Sequence, residues 1–318
     1  MIFAIMKTFL LPHLICPACL PKECQLVHSI KAEKDGDIIT GNLTCTRCKC
    51  NFPIRDGIAY LLQHPDGGPS GGQWRYEESD TIDRYLWSHF ADLAGDQENA
   101  EANKAWASCL ATQTISAVDA GCSVGRVTFE MAARGGWAVG CDLSFNFIKM
   151  ARRLARDRHL IFSLPLEGNL RESFRIQLPD AWPTDKLEFV VADALKMPFA
   201  RNTFQQIASL NLLDRVSYPL AHLFEMNRIA NLKSSSFLFA DPFSWSTTAA
   251  PEELWLGGTM TGPYKGRGLE NVRSLLEGKG NILTPPWKIT RTGAVSWKMR
   301  SHCNHCELIK SPFLIAER

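Results

Sequence analysis

Two sets of residues in this sequence have the types and spacing to do chemistry. The first is Cys16-Pro-Ala-Cys19, followed after 25 residues by Cys45-Thr-Arg-Cys48. Two residues between paired cysteines form a tight knuckle, and two such pairs can place four thiolates around one tetrahedral ion. That donor set favours a structural zinc site, closed to substrate, whose binding energy helps fold a piece of chain too short to build much core. Cys24 and Cys50 are spare, and either could replace one of the four; buried free cysteines are the alternative. The second set is Asp119, Asp142 and Asp193, each closing an apolar run, ISAVD, AVGCD and FVVAD.

The aspartates sit where a nucleoside would need them. In Val118-Asp119-Ala120-Gly121-Cys122-Ser123-Val124-Gly125 a strand gives way to a helix; Gly121 lets the backbone approach a ligand, and Gly125 permits close packing of helix on strand. Asp142 lies 23 residues beyond Asp119, the position from which a carboxylate accepts hydrogen bonds from both ribose hydroxyls. Asp193 can bond an adenine exocyclic amine, with Ala194 supplying backbone contact. Cys122, Leu143 and Asn211 complete the expected cofactor contacts. Any one Asp at a strand end is an ordinary helix cap; three in register fit an adenosine ligand without phosphates. A dinucleotide would call for the fuller GxGxxG loop, and Ser123 occupies the place of its middle glycine.

These residues need elements to hold them. After residue 115, strand-like and helix-like runs alternate as ISAVDAG, TFEMAARG, WAVGCDLS, FIKMARRLARD, LEFVVADAL, FQQIASLNLL, LAHLFEMNRIANL and SFLFADPF. That alternation predicts an α/β fold with a doubly wound, Rossmann-like sheet, its ligand loops at the C-terminal strand ends. Before it, Tyr85, Leu86, Phe90 and Leu93 recur at helical spacing between Trp74 and Thr112, which predicts lid or substrate-side helices. Residues 1–64 read as a cysteine-bearing ribbon ending in FPIRDGIAYLL, with a turn at Asp56-Gly57. HPDGGPSGGQ marks a linker over 65–73, and 74–318 form the catalytic domain with its N-terminal helices.

Composition narrows the function classes. With 318 residues, 45% of them apolar, the chain can bury a sizeable core. Lys and Arg number 35 against 33 Asp and Glu, a formal charge of +2, so no global field draws in a nucleic acid. KMARRLARDRH is the one basic run, and its apolar spacing suits an amphipathic helix. An odd count of eleven cysteines suits metal ligation in a reducing compartment better than a disulfide framework. The apolar opening MIFAIMKTFLLPHLI runs directly into a cysteine motif without a cleavage site, and no later run reaches the roughly 18 to 20 apolar residues of a membrane span. A cytoplasmic protein without a membrane partner is expected.

The motifs also resemble known families. LICPACL and LTCTRCKCNFPIRDGIAYLL resemble the Trm112-like zinc ribbons over about the first 60 residues, which implies a structural or docking role, with a protein partner a possible use of the ribbon. The Asp119–Gly125 loop and the two later strand-end acids resemble the Rossmann-like S-adenosylmethionine methyltransferases. On that resemblance Asp119, Gly121 and Gly125 line the methionine part, Asp142 the ribose, and Asp193 with Ala194 the adenine; Ser123 departs from the usual glycine and crowds the loop slightly. DAGCSVGRVTFEMA, CDLSFNFIKMA, ADALKMPF, SLNLLDRVSYP and ADPFSWSTTAAPEELWLGG look like the mercaptohistidine methyltransferase domain of ovothiol-producing enzymes, as does the insertion LPLEGNLRESFRIQLPDAW. The resemblance implies methyl transfer to a small heteroaromatic or thiol acceptor. The ribbon in front and the missing sulfoxide synthase domain depart from that pattern and leave the acceptor less defined than the reaction.

Further candidates lie downstream. Asp214, close to Asn211 at the end of a strand, is the expected orienting carboxylate, with an ion pair to Arg215 or a helix cap as the alternative. Tyr264 in GGTMTGPYKGRG could close over the pocket or belong to a surface loop. Trp245 and Trp255 could form an aromatic wall for a flat acceptor or pack in the core. His302, Cys303, His305 and Cys306 are metal-ligand types, but on a strand they alternate faces. Two rival functions remain: an RNA methyltransferase using the ribbon to bind rRNA or tRNA, which the near-neutral charge disfavours, and a non-catalytic scaffold, which three intact strand-end acids disfavour.

Overall fold

The computed structural model describes residues 6–62, 75–96 and 100–318. The chain begins with short 3-10 turns at Thr8–His13 and Pro17–Cys19 and an antiparallel meander, β1 (Leu26–Lys34), β2 (Asp37–Cys45), β3 (Asn51–Arg55) and β4 (Ile58–Leu61). The β3–β4 hairpin turns at Asp56-Gly57, where φ is 50° and 69°. Positive φ at both positions is the type I′ geometry that Asp-Gly favours.

Helices α1 (Ser79–Phe90) and α2 (Ala100–Ser108) precede the alternating part. There β5 (Ser116–Ala120), α3 (Arg126–Ala132), β6 (Trp137–Asp142) and α4 (Phe145–Asp157) lead to a separate hairpin, β7 (His159–Glu167) and β8 (Leu170–Gln177), formed by the insertion. Then follow β9 (Leu187–Ala192), β10 (Gln206–Leu210), α5 (Pro219–Ile229), β11 (Ser236–Ala240), α6 (Gly268–Leu276) and the long hairpin β12 (Lys288–His302) and β13 (His305–Glu317). Strands β9, β6, β5, β10 and β11 are parallel neighbours in that order, and β13 and β12 complete the edge antiparallel. The parallel strands β5, β6, β9, β10 and β11 are fully or nearly fully buried runs such as LEFVVA, as a sheet covered on both faces requires. The winding direction reverses between β5 and β10, which opens a crevice beyond their carboxyl ends.

The fold is thus mixed α/β with a Rossmann-like sheet, and the ribbon extends it. β4 pairs in parallel with β9, Tyr60 beside Val191 and Leu61 beside Ala192, so the meander and the parallel strands form one sheet of eleven. Met6, Leu10, Phe52 and Ile54 pack in one apolar cluster with Val190, Phe199 and Phe204. The linker expected at 65–73 lies outside the described residues. The described residues show the N-terminal meander joined to the parallel strands by strand pairing and a common core. Among them no helix is long and apolar enough to cross a membrane.

Candidate active site

At the carboxyl ends of β5, β6, β9 and β10 the described residues line a cavity of about 1510 Å³. A single drug-sized ligand occupies a pocket of roughly 300–1,000 Å³, so this one has room for two small molecules side by side. Asp119, Gly121, Cys122, Asp142, Leu143, Asp193, Ala194 and Asn211 all line it; Asp214, Gly125 and Tyr264 do not.

Each strand-end acid is fixed by a local partner. Asp142 Oδ2 accepts from Ser123 N at 2.9 Å and Oδ1 from Ser144 N at 2.9 Å, which ties the β5–α3 loop to the start of α4. Asp119 Oδ2 accepts from Thr128 Oγ1 at 2.9 Å, and Asp193 Oδ1 from Leu195 N at 2.9 Å. Behind Ala194, the buried His222 spans Ala194 O at 3.2 Å and Ser209 Oγ at 2.8 Å. Burial lowers its pKa to about 4, so it is a neutral imidazole that props the loop.

The glycines do different jobs. At Gly121, with φ 73°, an added Cβ would lie 2.9 Å from Leu212 Cδ2 at the cavity wall. At Gly125, with φ 89°, it would lie 2.6 Å from the Phe189 ring; this glycine lets α3 approach β9 behind the cavity, as its close-packing reading expects, and it is not among the cavity-lining residues. Ser123 takes the left-handed conformation with φ 49°, and its buried Oγ has no partner. A buried hydroxyl without a partner, beside the Asp142 carboxylate, leaves a polar group for a ligand to satisfy.

Burial pushes the Asp119 carboxyl up to about 7 and the Asp142 carboxyl to about 6, against an ordinary value of 3.8. Raised folded-state values mean that these acids favour the fold when protonated. Their contribution is fully present below about pH 4 and is lost as pH rises through about 6 to 7. A cationic ligand favours the ionised form, so binding should release protons and tighten between about pH 5.5 and 7.5. Calorimetry near pH 6.5 in two buffers of different ionisation enthalpy checks this; net proton uptake would contradict it.

Beyond the acids, the cavity continues between α1 and β12, where Tyr85, His89, Trp106, Trp297 and Met299 line it. Trp245 and Trp255 form a stacked pair outside the cavity, with ring centroids 6.0 Å apart, and Trp245 packs against the apolar core rather than walling an acceptor. Tyr264 packs against the core, and its carbonyl accepts from Asn271 Nδ2 at 2.8 Å. Asp214 is buried, with Oδ2 accepting from Ser244 N at 2.8 Å and Oδ1 lying 3.1 Å from Arg215 Nε. It reaches the cavity only through Arg215 and Ser244, which do line it. Arg126, also cavity-lining, is neutralised by Asp92 at 2.6 and 3.0 Å and Glu130 at 3.1 Å, and holds α1 through His89 O at 3.0 Å. Sequence reading missed His89, Arg126 and Trp297; the four-residue spacing of Tyr85 and His89 on one helix face was the available signal.

The cysteine pairs converge as their spacing requires. Sγ atoms of Cys16, Cys19, Cys45 and Cys48 all lie within 4.8 Å of one another, with Cys16 to Cys48 at 3.6 Å and Cys19 to Cys45 at 3.7 Å. Thiolates at about 2.3 Å from a tetrahedral zinc stand about 3.8 Å apart, so the donor set fits that ion, whereas a disulfide needs about 2.05 Å. Backbone N–H groups of Arg47 and Cys48 donate to Cys45 Sγ at 3.4 and 3.5 Å. Cys24 and Cys50 pack against this cluster's core without joining the four. His302 and Cys303 lie at one end of β12 and His305 and Cys306 at the start of β13, with Cys303 Sγ donating to Leu166 O at 2.8 Å; they form no metal-ligating group among the described residues.

Residues 118–238 match the model of the methyltransferase domain family. Among solved structures, the chain is similar to a SAM-dependent methyltransferase from Methanosarcina mazei at 15% identity, covering 66% of this chain and 95% of that one with a TM-score of 0.42. It is similar to magnesium protoporphyrin IX methyltransferase from Synechocystis with bound SAM at 16% identity, 76% and 97% coverage and a TM-score of 0.43. A third is a putative methyltransferase from Bacillus halodurans, at 12% identity, 69% and 97% coverage and a TM-score of 0.41. No curated protein matches. Residues 118–238 thus match a methyltransferase domain.

Proposed function

We propose that the protein transfers a methyl group from S-adenosylmethionine to a small heteroaromatic or thiol acceptor, of which a mercaptohistidine-type imidazole is one instance, with a structural zinc in the ribbon. The observation that carries this reading is the two-ligand cavity: three aspartates at one end and a chamber of aromatic, Met and Arg side chains at the other. S-adenosylmethionine supplies, when bound, an electrophilic methyl on a sulfonium. Asp142 holds the ribose hydroxyls, Asp193 and the Ala194 backbone the adenine, and Asp119 with Gly121 and Cys122 the amino-acid end.

In-line displacement needs the acceptor about 3 Å from the methyl carbon, so catalysis comes chiefly from positioning and exclusion of water. Tyr85, Trp106 and Trp297 offer flat apolar faces to a ring. His89 is a neutral imidazole, since burial and the nearby Arg126 lower its pKa to about 4, and its buried Nδ1 has no partner. It takes over from Asp214 and Tyr264 as the side chain placed to orient an acceptor. Arg215 also lines the cavity, with one edge paired to Asp214. A methyl-transfer assay with labelled cofactor against thiol-histidines, related small thiols and bulk RNA tests the reading. Label should enter a small molecule; label entering RNA alone overturns it.

A further inference from the structure

We infer that the ribbon is part of the cofactor site, with Tyr60 on β4, beside Arg55 and Leu62, forming the outer wall of a purine-nucleoside pocket. The inference rests on the reading of that end of the cavity as the adenosyl site, and it gives the ribbon a task other than docking.

Register and strand alternation place the wall. Ala59 and Leu61 are buried in the apolar core on one face of β4, which turns Tyr60 and Leu62 to the other face, where both line the cavity. Tyr60 sits beside Val191, itself cavity-lining, two residues before Asp193. Its ring stacks on Phe145, with centroids 5.3 Å apart at 24°. Phe145 opens α4 three residues after the ribose-binding Asp142, so the aromatic pair bridges the ribose and adenine positions. Arg55 lies over the Tyr60 ring at 5.8 Å. Burial raises the Tyr60 phenol to about 12, so its hydroxyl stays a donor at neutral pH, and it has no hydrogen-bond partner among the described residues.

The wall is held rigidly by the ribbon. Ile15 N donates to Pro198 O at 2.9 Å and Ala200 N to His13 O at 3.2 Å. Glu23 pairs with Arg201 at 3.2 Å and Arg228 at 3.0 Å. The buried Glu188 of β9 accepts from the Lys7 backbone and pairs with Arg152. Whatever folds the ribbon therefore sets the position of Tyr60, and cofactor affinity is linked to zinc occupancy in both directions.

The test is calorimetric binding of S-adenosylmethionine and of 5′-methylthioadenosine, which lacks the amino-acid end, to the full chain and to Tyr60→Leu, Tyr60→Phe and Asp142→Ala, with zinc content measured on each. Tyr60→Leu with its zinc retained should bind both ligands on the order of 10-fold more weakly, and Tyr60→Phe should keep most of the affinity. Undiminished binding by a zinc-replete Tyr60→Leu overturns the inference, and a loss in Asp142→Ala alongside it leaves the functional reading standing. If the parent chain binds neither ligand, both fall. Should Tyr60→Leu lose its zinc, the parent decides: saturating 5′-methylthioadenosine should slow zinc release to a chelator severalfold, and an unchanged release rate overturns the linkage.

Discussion

Asp142→Ala is expected to bind S-adenosylmethionine at least about 100-fold more weakly than the parent chain, because two charge-assisted hydrogen bonds at about 1.5–3 kcal/mol each are removed together. The loss should exceed that of the ribose contacts alone. The same carboxylate anchors Ser123 N and Ser144 N, each at 2.9 Å, so the loop over Gly121 and Cys122 loses its tether as well. Asp142→Asn keeps one acceptor oxygen and should fall between the two. The thermal midpoint of the ligand-free variant should stay near that of the parent, since a buried carboxyl with a raised pKa contributes little to folding at neutral pH. Calorimetry and thermal denaturation read the two effects separately; parental affinity in Asp142→Ala would remove the central carboxylate from the site.

The second large effect concerns the thiolates. Metal analysis should find one zinc per chain, and Cys45→Ser should abolish it. Structural zinc contributes roughly 10–16 kcal/mol in small isolated modules, as much as the whole stability of an ordinary domain. Even a third of that lost should lower the thermal midpoint by about 10 °C. Cys24→Ser, outside the set of four, should keep both metal and midpoint. Zinc retained at full stoichiometry in Cys45→Ser, or lost in Cys24→Ser, would reassign the ligands.

Much of the architecture was legible because burial and periodicity agree. Runs such as LEFVVA and SFLFA are apolar without alternation, which only strands covered on both faces permit, and every strand and helix expected after residue 115 is present. The three aspartates could be read because a strand end is a fixed place in such a sheet. The side chains facing the acceptor end were less legible. His89 and Trp297 come from α1 and β12, more than 200 residues apart in sequence, and nothing local records that they meet. Asp214 ends up beside the site with its oxygens facing Ser244 N and Arg215, the ion pair given as its alternative; which of the two readings the fold realises is a tertiary outcome that spacing does not encode. The pairing of β4 with β9 was equally invisible, since a strand edge accepts any neighbour whose backbone reaches it.

That pairing also changes what the molecule shows to its surroundings. Without β4, the outermost strand on this side would be β9, a wholly buried segment whose unpaired amides would invite another chain to add on. With the meander in place the outermost strand is β1, exposed along nearly all of its length and carrying Lys31, Glu33 and Lys34. Charged side chains on a free margin discourage strand-to-strand association. The ribbon thus shifts the sheet's adhesive border from a greasy strand beside the nucleoside pocket to a hydrophilic one well away from it.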